Sequence, residues 1–483
     1  MYLGLDLGTS GLRALLVNDD GRPFASASQS YNVQHLHPGW SEQDPAHWVA
    51  ALDAVMQELR AAHPMEVAAV AGIGVSGHMH GAVLLDDAGQ VIRPCILWND
   101  TRSHAEAAEL DATPHVRDLS GNIVFPGFTA PKLRWVETHE PDAFARIKKV
   151  LLPAGYMNFH LTGDAFADMS DSAGTSWLDT GGRVWSDALL DAGHMQSGQM
   201  PRLVEGSEVG GVLRANLAAA WGMRPDVAVV GGAGDNAAAA CGVGAMREGA
   251  GFVSLGTSGV LLVARDGYAP LPASAVHTFC HAVPAQWYQM GVILAATDSL
   301  NWLARMTGAT PETLSTELDK PISGPGRAAF LPYLSGERTP HNDSHIRGAF
   351  AGLDIGDDRS DLTQAVMEGV SFALRDCAEA LRQTGARMDS LLAIGGGSAS
   401  RFWVETIATL LNTPLDIPQA GDFGAALGAA RLAMVGAGGG DPDQVMSRPP
   451  IAQTIEPVAD LTAAYSDAYG AWRALYPALK DIT

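Results

Sequence analysis

The pentapeptide Leu-Gly-Thr-Ser-Gly occurs twice in this chain, at residues 7–11 and again at residues 255–259. Both copies are flanked by apolar segments, which lie at residues 2–7 and 12–17 for the first copy and at 251–255 and 260–263 for the second. Two apolar segments joined by a turn of small residues predict a β-hairpin. The sequence therefore predicts two hairpins with the same turn.

The two hairpins lie half a chain apart, which indicates an internal duplication. Chance recurrence in a glycine-rich chain is the alternative, and the matching flanks weigh against it. The half-chain spacing indicates two similar domains. We expect an N-terminal domain at residues 1–247 and a C-terminal domain, ending in a helix, at residues 248–483.

The segments around the hairpins alternate between strand and helix patterns, which predicts an α/β fold. The predicted strands lie at residues 67–75, 82–85, 91–98, 226–230 and 391–394. The predicted helices lie at residues 45–61, 236–243, 299–307, 360–384, 401–411, 424–435 and 461–479, with a surface loop at 436–450.

Charge and composition exclude several classes of function. The chain has 31 Lys and Arg against 53 Asp and Glu, so its net charge of −22 argues against binding to nucleic acid or an anionic membrane. None of the four cysteines forms a C-x-x-C pair, which predicts free thiols in a reducing compartment. The start of the chain has no signal-peptide pattern, and no apolar run reaches the roughly 18 residues of a membrane span. We expect a cytoplasmic protein.

The first hairpin carries residues suited to a phosphate group. Asp6 precedes the turn, Thr9 and Ser10 lie in it, and Arg13 follows it. Backbone N–H groups of small turn residues converge on anions, and hydroxyl groups add donors. A carboxylate beside a phosphate is reasonable if it holds Mg²⁺. An ordinary β-turn with a polar network is the alternative. The second hairpin repeats the turn, with Ser254 in place of the acid.

A third segment runs from an apolar strand through small residues to Asp235 and Asn236, at the start of an alanine-rich helix. Asp235 is either an N-cap or a general base at a strand end, and spacing alone does not separate the two. Farther along, a glycine run at residues 395–397 could pack against adenosine or form a simple turn.

Longer stretches resemble the FGGY family of carbohydrate kinases over nearly the whole chain. Residues 127–139, Gly-Phe-Thr-Ala-Pro-Lys-Leu-Arg-Trp-Val-Glu-Thr-His, are similar to the first family signature, and residues 348–353 with 361–368 are similar to the second. Residues 77–81, Gly-His-Met-His-Gly, resemble the branch of the family that acts on D-xylulose, as do residues 40–45, 168–175 and 330–340.

The resemblance implies the duplicated actin-like ATPase fold, in which two ribonuclease-H-like domains surround a central cleft. It implies that the N-terminal domain binds the sugar, and that the C-terminal domain binds most of the nucleotide. The implied reaction is the ATP-dependent phosphorylation of D-xylulose to D-xylulose 5-phosphate, with Mg²⁺ as cofactor. A homodimer is the usual assembly in the family.

Individual roles also follow from the resemblance. Asp235 corresponds to the catalytic base, and Asp6 to the acid that attends the metal and the phosphates. The residues implied for the nucleotide are Thr9, Ser10, Arg13, Gly256, Thr257, Asn301, Gly396 and Gly397. The residues implied for the sugar are Met79, His80, Trp98, Asp235 and Asn236.

Two other functions are compatible with part of this pattern. A kinase for another ketose or polyol would share the mechanism, but family members that act on glycerol carry Arg-Glu where this chain has Met79 and His80. A non-catalytic sugar or nucleotide sensor would use the same fold, but it would not need both Asp6 and Asp235.

Overall fold

The computed structural model describes residues 1–318, 320–419 and 424–482. The strands of the N-terminal half are β1 (Tyr2–Leu7), β2 (Gly11–Val17), β3 (Pro23–Ser30), β4 (Glu42–Gln43), β5 (Gly72–Gly77), β6 (Val83–Leu85), β7 (Cys95–Ile96), β8 (Lys149–Leu151), β9 (Phe166–Asp168), β10 (Leu178–Asp179), β11 (Val184–Trp185), β12 (Arg202–Val204), β13 (Val209–Val212), β14 (Ala228–Val230) and β15 (Ala233–Gly234). Its helices are α1 (Pro45–Ala62), α2 (Pro64–Ala68), α3 (His104–Asp111), α4 (Val116–Ser120), α5 (Thr129–His139), α6 (Pro141–Phe144), α7 (Pro153–Thr162), α8 (Met169–Ser172), α9 (Asp187–Ala192), α10 (Ala215–Trp221) and α11 (Asp235–Val243).

The C-terminal half has its own set of elements. Its strands are β16 (Ala250–Leu255), β17 (Gly259–Arg265), β18 (His277–Cys280), β19 (Trp287–Ile293), β20 (Ala329–Leu331), β21 (Ala349–Ala351), β22 (Ser390–Ile394), β23 (Leu415–Pro418) and β24 (Ile451–Ile455). Its helices are α12 (Thr297–Thr307), α13 (Pro311–Glu317), α14 (Arg359–Gln383), α15 (Arg401–Leu411), α16 (Ala425–Gly438), α17 (Pro442–Val445), α18 (Thr462–Arg473) and α19 (Leu475–Leu479). Among these described residues, no helix combines the length and apolarity that crossing a membrane requires.

The two main sheets are built on the same plan. The N-terminal sheet has the order β13-β14-β5-β1-β2-β3, and the C-terminal sheet has the order β18-β19-β17-β16-β22-β23-β24. In each sheet a hairpin pairs with a third antiparallel strand on one side, and a parallel strand pairs with the first hairpin strand on the other. The two predicted hairpins and the α/β class are confirmed. The boundary between residues 247 and 248 stays a prediction.

Several predicted elements are wrong at their ends, and proline explains three of them. The strand predicted from residue 67 begins only at Gly72, because Pro64 starts the short helix α2. The strand predicted at residues 91–98 shrinks to β7, which follows Pro94, a residue without a ladder N–H. The predicted terminal helix divides into α18 and α19 near Pro477, whose ring conflicts with the carbonyl four residues earlier. The predicted loop at 436–450 contains α17.

Helix α16 belongs to the second half of the chain but packs on the first sheet. It lies against β1 and β5 and against α11. Glycines permit the close approach, because a methyl group at Gly4 or at Gly428 would overlap the main-chain oxygens of Ala426 and Ala238, respectively. A shared apolar cluster around α11 also joins the two sheets. The two halves are therefore interlocked rather than merely adjacent.

Candidate active site

The ends of three parallel strands bring the predicted acidic residues to one edge of the N-terminal sheet. In β1 and β5, Asp6 lies opposite Ser76, and the Ser76 hydroxyl donates to Asp6 Oδ1 at 3.2 Å. In β15, Gly234 lies opposite Gly77, so Asp235 follows at the same edge. Open α/β sheets commonly bind ligands at the carboxyl ends of their parallel strands. The strand register therefore explains why Asp6 and Asp235 are neighbours.

Asp235 is the first residue of α11, and Gly234 occupies the N-cap position, so the N-cap interpretation of Asp235 is wrong. Its Oδ1 accepts hydrogen bonds from the Asn236 backbone N–H at 2.7 Å and from Asn236 Nδ2 at 2.8 Å. Among the described residues, no hydrogen bond uses its Oδ2. Burial, and then the nearby Asp6 carboxylate, raises the pKa of Asp235 to about 7. Such a carboxylate can accept a proton near neutral pH.

The first hairpin turn is fastened to an aromatic side chain. Trp98 Nε1 donates to Thr9 Oγ1 at 3.0 Å. A hydrogen bond from the Gly8 N–H to the Gly11 carbonyl oxygen closes the turn, and Ser10 within it is exposed. Across the hairpin, Arg13 lies opposite Asp6 in the strand register. Trp98, predicted for the sugar, and Thr9, predicted for the nucleotide, therefore share a hydrogen bond.

Met79 and His80 lie in the loop that follows β5. His80 Nδ1 is 2.7 Å from the Gly174 carbonyl oxygen, so Nδ1 carries the hydrogen and donates it. Its ring stacks on Phe128 with the ring centres 4.3 Å apart. Burial lowers the pKa of His80 to about 3, which leaves Nε2 as a neutral acceptor for a hydroxyl group. Tyr288, from the other half of the chain, donates its hydroxyl to Met79 Sδ at 3.7 Å.

The second hairpin turn supports the start of α12. The Gly256 carbonyl accepts the backbone N–H of Thr297 at 2.9 Å, and the Thr257 carbonyl accepts that of Ala296 at 2.8 Å. Asn301, half-buried, lies one turn farther along the same helix. The structure thus places Gly256, Thr257 and Asn301 around the start of α12, although no hydrogen bond among the described residues joins them to Asp235.

The glycine run after β22 lies beside the same hairpin. A Cβ at Gly397 would lie 2.8 Å from Leu255 Cβ and 3.2 Å from Thr297 Cγ2, so Gly397 packs against the hairpin. A Cβ at Gly396 would meet no atom within 4 Å, and one at Gly256 would meet only a carbonyl oxygen at 3.5 Å. Main chain at Gly256 and Gly396 is therefore accessible to a ligand, which fits a nucleotide.

The metal expectation rests on one residue. Among the described residues, no group of three or more His, Cys, Asp or Glu is arranged to hold a metal ion. Mg²⁺ in phosphate-transfer sites is usually held by one or two carboxylates together with phosphate oxygens and waters. A single carboxylate at Asp6 fits a cation that arrives with a nucleotide, and it does not fit a permanent structural metal.

Four polar residues that the sequence left without roles now have defined contacts. Arg102 Nη2 binds Asp100 Oδ2 at 2.7 Å in a buried pair, and Asp100 also accepts the Ser41 N–H at 2.6 Å. Asp168 caps α8 by accepting the N–H groups of the next turn. Burial, and then the neighbouring Asp168 and Asp235, raises the pKa of Asp171 well above its usual range. Asp100 and Arg102 stabilise loops. Asp171 lies near Asp235. Asp168 reaches the preceding residue, Gly234, through the Ser170 hydroxyl.

Sequence reasoning missed two residues around this site, namely Lys132 and Tyr288. Both contact the loop of Met79 and His80. The sequence shows only a polar side chain within an apolar pattern, which indicates that the side chain is buried. It does not predict which residue the side chain contacts, because each partner is distant in the sequence.

Two copies of one sheet plan, each with a hairpin turn, and acidic residues at the ends of the parallel strands are the architecture of actin-like sugar kinases. Residues 1–242 match the N-terminal domain of the FGGY family of carbohydrate kinases, and residues 251–437 match its C-terminal domain. The chain belongs to this family and is a carbohydrate kinase, an ATP-using transferase.

Individual relatives agree over their full length. A xylulose kinase of Escherichia coli strain K12 is 44% identical over 488 residues, covering 100% of both chains. The crystal structure of a xyloylose kinase from Brucella ovis is 58% identical, with a TM-score of 0.98 and 100% of both chains covered. That of a xylulose kinase from Rhodospirillum rubrum is 31% identical, with a TM-score of 0.91 and 99% of both chains covered.

Proposed function

We propose that this chain transfers the terminal phosphoryl group of ATP to D-xylulose, forming D-xylulose 5-phosphate. The observation that carries the proposal is the Asp235 carboxylate, fixed through Oδ1 and unoccupied at Oδ2 among the described residues. The substrate assignment follows the relatives that match over 90–100% of their length, which are xylulose kinases. The Met79 and His80 pair supports it.

The sugar would bind beside the loop of Met79 and His80. His80 Nε2 accepts a hydrogen bond from a sugar hydroxyl. In the neutral ring Nδ1 carries the hydrogen and donates it to the Gly174 carbonyl, so Nε2 has a free lone pair. Asn236 and Trp98 are the other candidate contacts. An indole beside polar groups suits the apolar face of a sugar chain.

Asp235 would act as the general base. Its Oδ2 accepts the proton of the attacking hydroxyl, while the two hydrogen bonds from Asn236 keep the carboxylate in place. Phosphoryl transfer depends mainly on positioning and charge neutralisation, so no covalent enzyme intermediate is required. The chemistry that Mg-ATP supplies when bound is a transferable phosphoryl group with its charge partly neutralised.

The nucleotide would be held by both hairpins. Thr9, Ser10 and Arg13 offer donors from the first turn, and Gly256 and Thr257 offer backbone groups from the second. Asn301, Gly396 and Gly397 would lie on the adenosine side. Asp6 would hold the metal ion at the phosphates, either directly or through water.

The test is ADP release from Mg-ATP with D-xylulose, D-ribulose, glycerol or gluconate, using wild type, Asp235→Ala and Asp235→Asn. A general base contributes about 100- to 10,000-fold. We therefore expect D-xylulose to give the largest rate in the wild type, and both variants to lose that activity while still binding ATP. The exposed Asp191→Asn is the matched control. Turnover close to wild type in Asp235→Ala would refute the base, and a larger rate with another sugar would refute the substrate.

A further inference from the structure

We infer that Lys132 is a positioning residue for the sugar site, because its ammonium group clamps the main chain at His80 to the segment that packs against Trp98. The inference rests on the proposed function, since it assumes that the loop of Met79 and His80 contacts the sugar. No feature of the local sequence around His80 reveals this contact.

Lys132 lies in the first turns of α5 and is 0% exposed. Its Nζ donates to the His80 carbonyl oxygen at 2.7 Å and to the Gly127 carbonyl oxygen, also at 2.7 Å. Thr129 Oγ1, at the start of the same helix, donates to the His80 carbonyl at 3.2 Å. Two side chains of one helix therefore hold a single carbonyl group of the sugar loop.

The carbonyl they hold belongs to a residue in an unfavourable conformation. His80 has φ = 69°, in the left-handed region that side chains with a Cβ rarely adopt. This conformation accompanies the contact of the ring with the Gly174 carbonyl and its stacking on Phe128. Without the hydrogen bonds to its carbonyl, His80 would relax toward an ordinary backbone conformation, and the ring would leave the cleft wall.

The second carbonyl bound by Lys132 reaches the other side of the predicted sugar site. A methyl group at Gly127 would overlap the Trp98 carbonyl oxygen, so these two main-chain segments are in direct contact. Lys132 thus joins the loop of Met79 and His80 to the backbone of Trp98. The spacing between these two candidate sugar contacts depends on one ammonium group.

The charge of Lys132 argues against a purely structural role, because burying an ammonium group lowers the stability of the fold. No carboxylate lies within ion-pair distance of Nζ in the described part of the chain. Burial lowers the pKa of Lys132 to about 7, although Cys95 and Asp100, farther away, act in the opposite direction. A buried ammonium without an ion pair is destabilising in itself. A lysine that serves only packing could be replaced by an apolar residue of the same length.

Lys149 provides a matched control. Its Nζ also donates to two main-chain carbonyls, those of Gly198 at 2.9 Å and Met200 at 3.0 Å. It contacts none of the residues predicted to bind sugar or nucleotide. Substitution of Lys149 therefore removes the same kind of clamp at a different place.

The experiment compares wild type, Lys132→Met, Lys132→Gln, Thr129→Val and Lys149→Met in full-length protein. Steady-state rates give KM for D-xylulose, KM for ATP and kcat, calorimetry gives Kd for D-xylulose without nucleotide, and melting curves report folding. A misplacement of about 1 Å can cost roughly 100-fold. We expect kcat/KM for D-xylulose to fall by about that factor in Lys132→Met, together with weaker binding of D-xylulose, smaller losses in Lys132→Gln and Thr129→Val, and an unchanged KM for ATP.

Each outcome bears on a different part of the inference. Unchanged D-xylulose binding in folded Lys132→Met, or equal losses for both substrates, would overturn the positioning role. If Lys132→Met does not fold, Thr129→Val and Lys132→Gln decide the question by the same criterion. A similar loss of D-xylulose affinity in Lys149→Met would also overturn it. A wild type that phosphorylates no sugar refutes the proposed function instead, and the inference with it.

Discussion

Replacing Asp235 by Asn should change the pH dependence of thermal stability, even in protein without substrates. The pKa of Asp235 is about 7 in the folded chain, against an ordinary value of 3.8. A raised carboxyl pKa means that folding favours the protonated form. The stability that this proton contributes is fully present below pH 3.8, and it is lost as the pH rises through 7. Asn is neutral throughout, so the variant does not lose it.

The size of the effect follows from the pKa difference. At 1.36 kcal/mol for each pKa unit, the full effect is about 4 kcal/mol, of which about 2–3 kcal/mol falls between pH 5 and pH 8. For an interlocked chain of 483 residues, an unfolding entropy of about 2.1 cal/mol/K per residue gives about 1 kcal/mol/K, so each kcal/mol changes Tm by about 1 °C. From pH 5 to pH 8, the Tm of Asp235→Asn should therefore rise by about 2–3 °C relative to wild type.

The assay is a pair of calorimetric melts at pH 5 and pH 8 for wild type, Asp235→Asn and the exposed Asp191→Asn. The difference between the first two curves reports the Asp235 carboxyl together with its interactions with Asp6 and Asp171. Asp191→Asn should follow the wild type. If Asp235→Asn also runs parallel to the wild type across this range, the raised pKa is refuted, whatever the variant does to turnover.

Three further predictions concern packing and the hairpins. Gly428→Ala should lower the free energy of unfolding by several kcal/mol, because its methyl group would overlap the main chain of the neighbouring helix. Gly470→Ala has open space around it and should raise the free energy of unfolding by about 1 kcal/mol. Urea unfolding measures both. Trp98→Phe removes the hydrogen bond to Thr9, so kcat/KM should fall about 3- to 10-fold, and an unchanged value would contradict the link. Gly396→Val should raise KM for ATP without lowering Tm, since its side chain would enter open space; a lower Tm would contradict this.

The hairpins could be predicted because their signal is local. A turn of Gly, Thr and Ser between apolar runs specifies a hairpin from about ten residues. The position of Asp235 after a strand was equally visible. Whether Asp235 caps the helix could not be predicted, because this depends on the backbone conformation of Gly234. Its φ of −60° and ψ of 151° make Gly234 the N-cap. Whether the site residues act as proposed stays a prediction.

Lys132 shows why the rest of the site could not be predicted. Its partners are main-chain carbonyls 5 and 52 positions away in the sequence, and a carbonyl has no residue type to recognise. Helix α16 shows the same limit at the level of the fold. Its alanine and glycine pattern predicted a helix, but small residues allow close packing against either sheet. Only the three-dimensional arrangement assigns it to the first.

The placement of α16 has a consequence for the order in which the chain is made. Helix α16 covers one face of the sheet that carries Asp6. It leaves the ribosome about 200 residues after α11, which is roughly 10–40 s later at ordinary rates of synthesis. During that interval the glycine-lined surface of β1 and β5 is uncovered. A nascent chain of this protein should therefore need protection from aggregation until residue 438 has emerged.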